Sequence, residues 1–113
     1  MATSKEFMEY AADQFSQAGE VTYKKMFGEY GFYLDGKLVG LVCDDTVYLK
    51  PTEAGRTLLG QPVLAPPYEG AKDYFRIDDI EDRAAMAALL RAGWEELPFP
   101  KPKKKKTSPA AGK

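Results

Sequence analysis

Apolar residues near the start of the chain recur with the spacing of an amphipathic helix. The stripe consists of Phe7, Ala11, Phe15 and Ala18. Thr3 is the predicted N-cap, because Glu6 follows it by three residues and completes a capping box. The pattern therefore predicts a helix over residues 3–18.

Runs of apolar and aromatic residues then alternate with turn signals, as is typical of antiparallel strands. Residues 21–27 could form a strand, and the three runs that follow are residues 30–35, 37–43 and 46–50. Asp35-Gly36 predicts a two-residue hairpin, because a type I′ turn needs positive φ at both central positions. Asp44-Asp45 predicts a second tight turn. Two consecutive hairpins make an antiparallel meander.

The second half of the chain predicts two helices and two further strands. A short helix is expected over residues 52–59, and residues 60–72, with three prolines, read as loop or edge strand. Residues 73–77 predict a strand, and Asp78 is expected to cap a long helix over residues 79–96. The predicted order is helix, three strands, short helix, two strands and long helix. This is an α+β fold with an antiparallel sheet.

Charge divides the chain into two parts. Residues 1–97, the predicted domain, hold all 17 acidic groups and 10 of the 16 Lys and Arg residues, which leaves a net charge of −7. Residues 98–113 hold six lysines and no acidic group, and proline and lysine dominate them, so we predict a disordered basic tail. The lysines Lys101, Lys103, Lys104, Lys105 and Lys106 could bind nucleic acid or an acidic partner, or only aid solubility.

Composition excludes several kinds of chemistry. The 113 residues fit one domain and contain no histidine, which removes imidazole acid–base catalysis and the commonest metal ligand. With Cys43 as the lone cysteine, a structural zinc site is excluded as well, and a buried, inert thiol is favoured. We expect no catalytic residue, no metal and no cofactor. We expect neither a signal peptide nor a membrane span in this sequence, and the cytoplasm is the expected location.

Residues 24–55 carry several short motifs at a specific joint spacing. They are Met26-Phe27-Gly28, Gly31, Asp35-Gly36 and Leu49-Lys50. With this spacing the chain resembles the N-terminal domain of the TfoX/Sxy competence regulators over about residues 3–97. The resemblance implies an α-β(3)-α-β(2)-α fold, similar in outline to secretion chaperones, and a link to control of natural transformation and transcription in bacteria. It carries over no catalytic residues, and the lysine tail stands where those regulators have a second, helical domain.

One feature favours a protein partner. Residues 38–43 are apolar at every position, so both faces of this strand need a cover. A homodimer mate, another protein, or the helices and the 60–72 segment could supply that cover. The segment before the first hairpin is both aromatic and basic, and its candidate interaction surface is Lys24, Lys25, Met26, Phe27 and Tyr30.

The leading hypothesis is therefore a non-enzymatic interaction module that acts through protein contacts, in regulation of competence or transcription. The second hypothesis is a nucleic-acid-binding accessory protein that works through its lysine-rich tail, without sequence selectivity. No membrane partner is expected.

Overall fold

The computed structural model describes residues 3–26 and 29–99, which form a six-stranded antiparallel sheet with three α-helices. The elements are α1 (Lys5–Gln14), a 3₁₀ turn (Ser16–Ala18), β1 (Val21–Met26), β2 (Glu29–Leu34), β3 (Lys37–Cys43), β4 (Thr46–Leu49), α2 (Glu53–Leu59), β5 (Val63–Ala65), β6 (Tyr74–Ile77) and α3 (Arg83–Trp94). The strand order is β1-β2-β3-β4-β6-β5, and all neighbours are antiparallel. The α+β class is confirmed. Four strands rather than three precede α2, because residues 21–26 pair fully with β2.

Both predicted hairpins have the backbone that their turn residues favour. Asp35 and Gly36 have φ of 46° and 88°, and Asp44 and Asp45 have φ of 52° and 55°. Aspartate tolerates this left-handed region better than most residues do, and glycine enters it without steric cost. The turns therefore fix the register of β2, β3 and β4.

The start of α1 differs from the sequence prediction. Ser4 is the N-cap, and its Oγ accepts a hydrogen bond from the Phe7 backbone N–H at 3.1 Å. Thr3 is 6% exposed and hydrogen-bonds to Glu29 on β2 instead. The prediction of Thr3 as the cap was wrong, because a long-range polar contact holds that side chain away from the helix.

The last helix also begins later than predicted. Asp82, not Asp78, is the N-cap of α3, and its carboxylate accepts from the Ala85 backbone N–H at 3.0 Å. Ile80 is only 5% exposed and belongs to the hydrophobic core. The non-helical stretch before α3 thus places an apolar anchor in the core, and this tertiary contact overrides the local capping signal.

The helices cover one face of the sheet. Buried residues of α1 and α3 share a core with strand residues that point to that face, and Phe15 stacks on Phe32 with ring centroids 5.2 Å apart. The core consists mainly of Met8, Ala11, Phe15, Phe32, Leu34, Val39, Val42, Val47, Leu49, Phe75, Ile77, Ile80, Met86, Leu89 and Leu90. Because strand side chains alternate in direction, the other face carries the remaining positions.

A bulge in β3 decides which apolar residues face the core. Phe32 pairs with Gly40 and Tyr33 with Leu38, so Val39 is an extra residue in β3. Val39 is consequently buried under the helices, as Val42 is. The alternation of inward and outward residues along β3 changes phase at this point.

Candidate interaction surface

The face of the sheet opposite the helices is apolar at its centre. We call it the open face and define it by the side chains of Tyr33, Leu38, Leu41, Cys43 and Tyr48, which the strand alternation directs away from the helices. Cys43 is buried, and the other four are half-buried. The segment between β5 and β6, part of the stretch predicted as loop or edge strand, contributes Tyr68 to one end of this face.

A groove lies at one end of the open face. Its described lining residues are Met26, Glu29, Tyr30, Leu41, Cys43 and Tyr68, and its volume is about 380 Å³. Tyr68 is 60% exposed, so the groove is open to solvent on that side. The lining is mainly apolar, which suits an apolar or aromatic guest.

Gly31 allows one wall of the groove to lie close to the sheet. A Cβ atom at this position would lie 2.7 Å from Met26 Cε and 3.0 Å from Met26 Sδ. The Met26 side chain therefore lies across Gly31, near Leu38 Cδ1, and extends the apolar surface towards β1. The flexible thioether can adjust to the shape of a guest.

The Glu29 carboxylate in the groove lining is already engaged. Its Oε1 accepts hydrogen bonds from the Thr3 backbone N–H at 2.8 Å, the Thr3 hydroxyl at 2.7 Å and the Asp44 backbone N–H at 3.2 Å. These bonds tie the chain before α1 to the β3–β4 turn. Glu29 thus links two distant segments of the chain at the lining of the groove.

The Cys43 thiol is held in its neutral form. Burial, assisted by the nearby negative charges of Glu29 and Asp44, raises the pKa of Cys43 to about 11. Burial also raises the pKa of the Tyr48 and Tyr74 hydroxyls. Because the thiolate is the reactive form of cysteine, this groove offers a neutral, polarisable contact surface at pH 7.

The predicted surface residues fall into three groups in the structure. Lys24 and Lys25 are exposed on β1, at the edge of the sheet, and Met26 forms part of the groove. Tyr30 is 9% exposed and packs edge-to-face on Tyr23 with centroids 5.7 Å apart, so it is chiefly a core side chain. Phe27 lies outside the described residues.

From residue 100 onwards the predicted nucleic-acid tail also lies outside the described residues, and with it all of Lys101 and Lys103–Lys106. Sequence reasoning flagged the apolar run that contributes Leu41 and Cys43 to the groove. It missed Tyr68, because a residue in a proline-rich loop carries no signal of the strand against which it will lie.

Within residues 3–26 and 29–99, no three histidine, cysteine or carboxylate side chains converge so as to hold a metal ion. In that same part of the chain, no helix is both long and apolar enough to cross a membrane.

Fold and surface together define a small α+β domain whose sheet is helix-covered on one face and open, with an apolar groove, on the other. The TfoX N-terminal domain family matches residues 13–97 of this chain. The chain is also 44% identical, over 108 residues, to an uncharacterized 12.7 kDa protein in the trpE 5′ region of Spirochaeta aurantia. That alignment covers 95% of this chain and 94% of the relative. The chain belongs to the TfoX N-terminal domain family, as the motif spacing predicts.

Proposed function

We propose that this protein is a non-enzymatic interaction module of the TfoX N-terminal type. It binds a partner protein through the open face and acts in regulation of competence or transcription. The observation that carries the proposal is the apolar groove lined by Met26, Leu41, Cys43 and Tyr68. Membership of the family supports the regulatory role, which the resemblance implies.

The character of the groove favours binding over chemistry. The Glu29 carboxylate has three hydrogen bonds to the protein itself, and the Cys43 thiol is neutral at pH 7. The rest of the groove lining is apolar and aromatic. Such a surface binds a partner side chain of complementary shape, and the side chain displaces water from the groove as it binds.

The extent of the surface favours a protein rather than a small molecule. Half-buried side chains continue beyond the groove at Tyr33, Leu38 and Tyr48, on the same face. An apolar face that extends beyond its pocket is typical of a protein interface, where a partner side chain fills the pocket and its neighbours exclude water. The expected partner therefore presents an aromatic or large aliphatic residue within an apolar patch.

A photo-crosslinking experiment tests the proposal. Tyr68, in the groove, is replaced by p-benzoylphenylalanine in the full chain within its own cells, and Tyr10 on α1 is the matched control. Both tyrosines are exposed, at 60% and 40%, but Tyr10 does not line the groove. We expect a discrete cross-linked protein from position 68 and none from position 10.

A second substitution links the cross-link to the groove. In the protein that carries p-benzoylphenylalanine at position 68, Leu41→Arg should abolish the cross-linked band. Leu58→Arg on α2 should leave the intensity of that band unchanged. Leu58 is a 56% exposed leucine remote from the groove, and thermal unfolding of both variants checks that the fold persists. Equal bands from positions 68 and 10, or a band that survives Leu41→Arg, would refute binding at the groove. A partner outside transcription and DNA uptake, identified by mass spectrometry, would refute the regulatory role.

A further inference from the structure

We propose that the partner adds an acidic, extended segment of its chain to the free edge of β1, as an extra strand of the sheet. This inference rests on the proposed function, because it specifies how the partner binds beside the open face. The juxtaposition that carries it is an unpaired strand edge, two exposed lysines and the groove at the end of that edge.

The edge itself is long enough to bind a strand. All six residues of β1 pair with β2, from Val21 opposite Leu34 to Met26 opposite Glu29. No strand of the described residues pairs with the other side of β1. Half of its backbone N–H and C=O groups therefore point away from the sheet, and an incoming extended chain can satisfy them.

Charge selects the chemistry of the incoming segment. Lys24 and Lys25 are exposed, and within the described residues neither forms an ion pair. Lys24 Nζ lies 6.0 Å from the Tyr33 ring centroid, above the open face. By contrast, Arg83 and Arg91 are held by Asp13 and Asp35, each at 2.7 Å.

Lys24 and Lys25 are neighbours on β1, so Lys24, opposite Gly31, projects to the open face, whereas Lys25, opposite Tyr30, projects to the helix-covered face. Both place a positive charge at this edge of residues 1–97, whose net charge is −7. Glutamate or aspartate side chains on an added strand would lie directly opposite or diagonal to them, within reach of a charged hydrogen bond. An acidic segment is therefore attracted to this edge, although the rest of the domain repels it.

The same charges argue against two other occupants. A second copy of β1, paired antiparallel along its full length at this edge, would place Lys24 of each copy diagonal to Lys25 of the other, and like charges this close on one face disfavour the strand pair. The chain's own residues 98–113 carry six lysines and no acid, so they too are repelled. The occupant that these charges favour at the edge of β1 is therefore an acidic segment of a different protein.

The other edge of the sheet is protected against strand addition. β5 has only three residues, Val63–Ala65, and it lies between Pro62 and Pro66. Prolines cannot donate a ladder hydrogen bond, and very short strands offer few partners. β1 contains no proline and is twice as long.

The groove lies at the end of β1, so a partner chain can pair with the edge of β1 and also insert a side chain into the groove. β1 ends at Met26, whose side chain forms part of the groove. A segment that runs along β1 towards this end arrives beside the groove, where its next apolar residue can enter. One continuous stretch of partner chain can thus supply both the strand and the guest side chain.

Fluorescein-labelled eight-residue peptides with alternating Glu and Val and one terminal Phe are the probes. Fluorescence anisotropy gives their affinity for the full chain. The first matched peptide has Lys in place of Glu, and the second has N-methyl groups on alternate backbone nitrogens, which removes ladder donors. We expect the acidic peptide to bind at least about tenfold more tightly than either matched peptide, because each lacks one source of recognition.

Charge-reversal variants assign the site. Lys24→Glu/Lys25→Glu should weaken binding of the acidic peptide by about tenfold or more, whereas Lys5→Glu/Lys72→Glu, with the same change in net charge, should have a much smaller effect. Hydrogen exchange should show slower exchange of outward-pointing β1 amides in the bound state.

Equal affinity for the N-methylated peptide would overturn strand addition. If the two double variants weaken binding of the acidic peptide equally, the assignment to β1 is overturned. The proposal is also overturned if the acidic peptide does not bind to the protein at about 1 mM, the weakest affinity of interest. If the peptide fails while the groove cross-link persists and still depends on Leu41, strand addition falls and the proposed function stands. If the cross-link also fails, the proposed function falls too.

Discussion

Lys37 is expected to be the most informative single site for stability. It is the first residue of β3 and is only 6% exposed. Its Nζ donates a hydrogen bond to the Trp94 carbonyl at 3.0 Å and lies 3.7 Å from the Trp94 ring centroid and 5.0 Å from that of Phe99. The ammonium group therefore fastens the β2–β3 hairpin to the end of α3.

The change in the free energy of unfolding caused by Lys37→Met is the difference between lost interactions and a relieved cost of burial. A hydrogen bond from a charged donor contributes about 1.5–3 kcal/mol, and a largely desolvated cation–π contact about 2 kcal/mol. Part of this is offset because methionine avoids the cost of burying an ammonium group and keeps most of the packing of the side-chain stem. We expect a net loss of about 2 kcal/mol in the free energy of unfolding, which lowers Tm by about 10 °C for a domain of this size.

Urea unfolding followed by the fluorescence of Trp94, the single tryptophan, measures this loss at the contact itself. Lys72→Met is the control, because that lysine is exposed in the segment between β5 and β6 and should change stability by less than about 0.5 kcal/mol. If Lys37→Met is as stable as the parent protein, the ammonium group contributes no net stability, which contradicts the expected loss.

Two further predictions concern the hairpins and the sheet. Gly40→Ala should lower the free energy of unfolding in urea by about 3 kcal/mol, because a Cβ there would lie 2.3 Å from the Tyr48 carbonyl oxygen; a stability equal to the parent would contradict this close contact. The hydrogen bond from the Glu20 backbone N–H, and after it the Arg91 guanidinium, lowers the pKa of Asp35 below its usual value. The ionised carboxylate therefore stabilises the fold fully above about pH 3.9, the usual pKa of aspartate. This stabilisation is lost as the pH falls through the lowered pKa. Thermal unfolding of Asp35→Asn from pH 7 to pH 2 should show a deficit that vanishes in acid, and a deficit that is independent of pH would exclude this origin.

The structure explains why some elements were predictable and others were not. The hairpin at Asp35-Gly36 is encoded locally, since these two residues favour the positive φ that the turn requires. The start of α3 is not, because the local capping signal at Asp78 competes with the burial of Ile80, and the distant core decides between them.

The groove required the tertiary structure in a similar way. Leu41 and Cys43 are neighbours in an apolar run, so the sequence indicated a strand in need of a second cover. Tyr68 lines the groove beside Leu41 and Cys43 because it lies in the loop that connects β5 to β6. The sequence of residues 60–72 contains no pattern that predicts this contact.

By itself, the sequence determined the α+β class, the order of most elements, the family and the basic character of β1, because these depend on local spacing, turn residues and charge. The tertiary structure alone decided which face of β3 is buried. The extra residue Val39 shifts the alternation, so that Val39 and Val42 enter the core while Leu38, Leu41 and Cys43 face the other way. Residues 38–43 are apolar at every position and therefore encode no preference between the two faces of β3. Only the packing of the helices and the bulge can select the buried face.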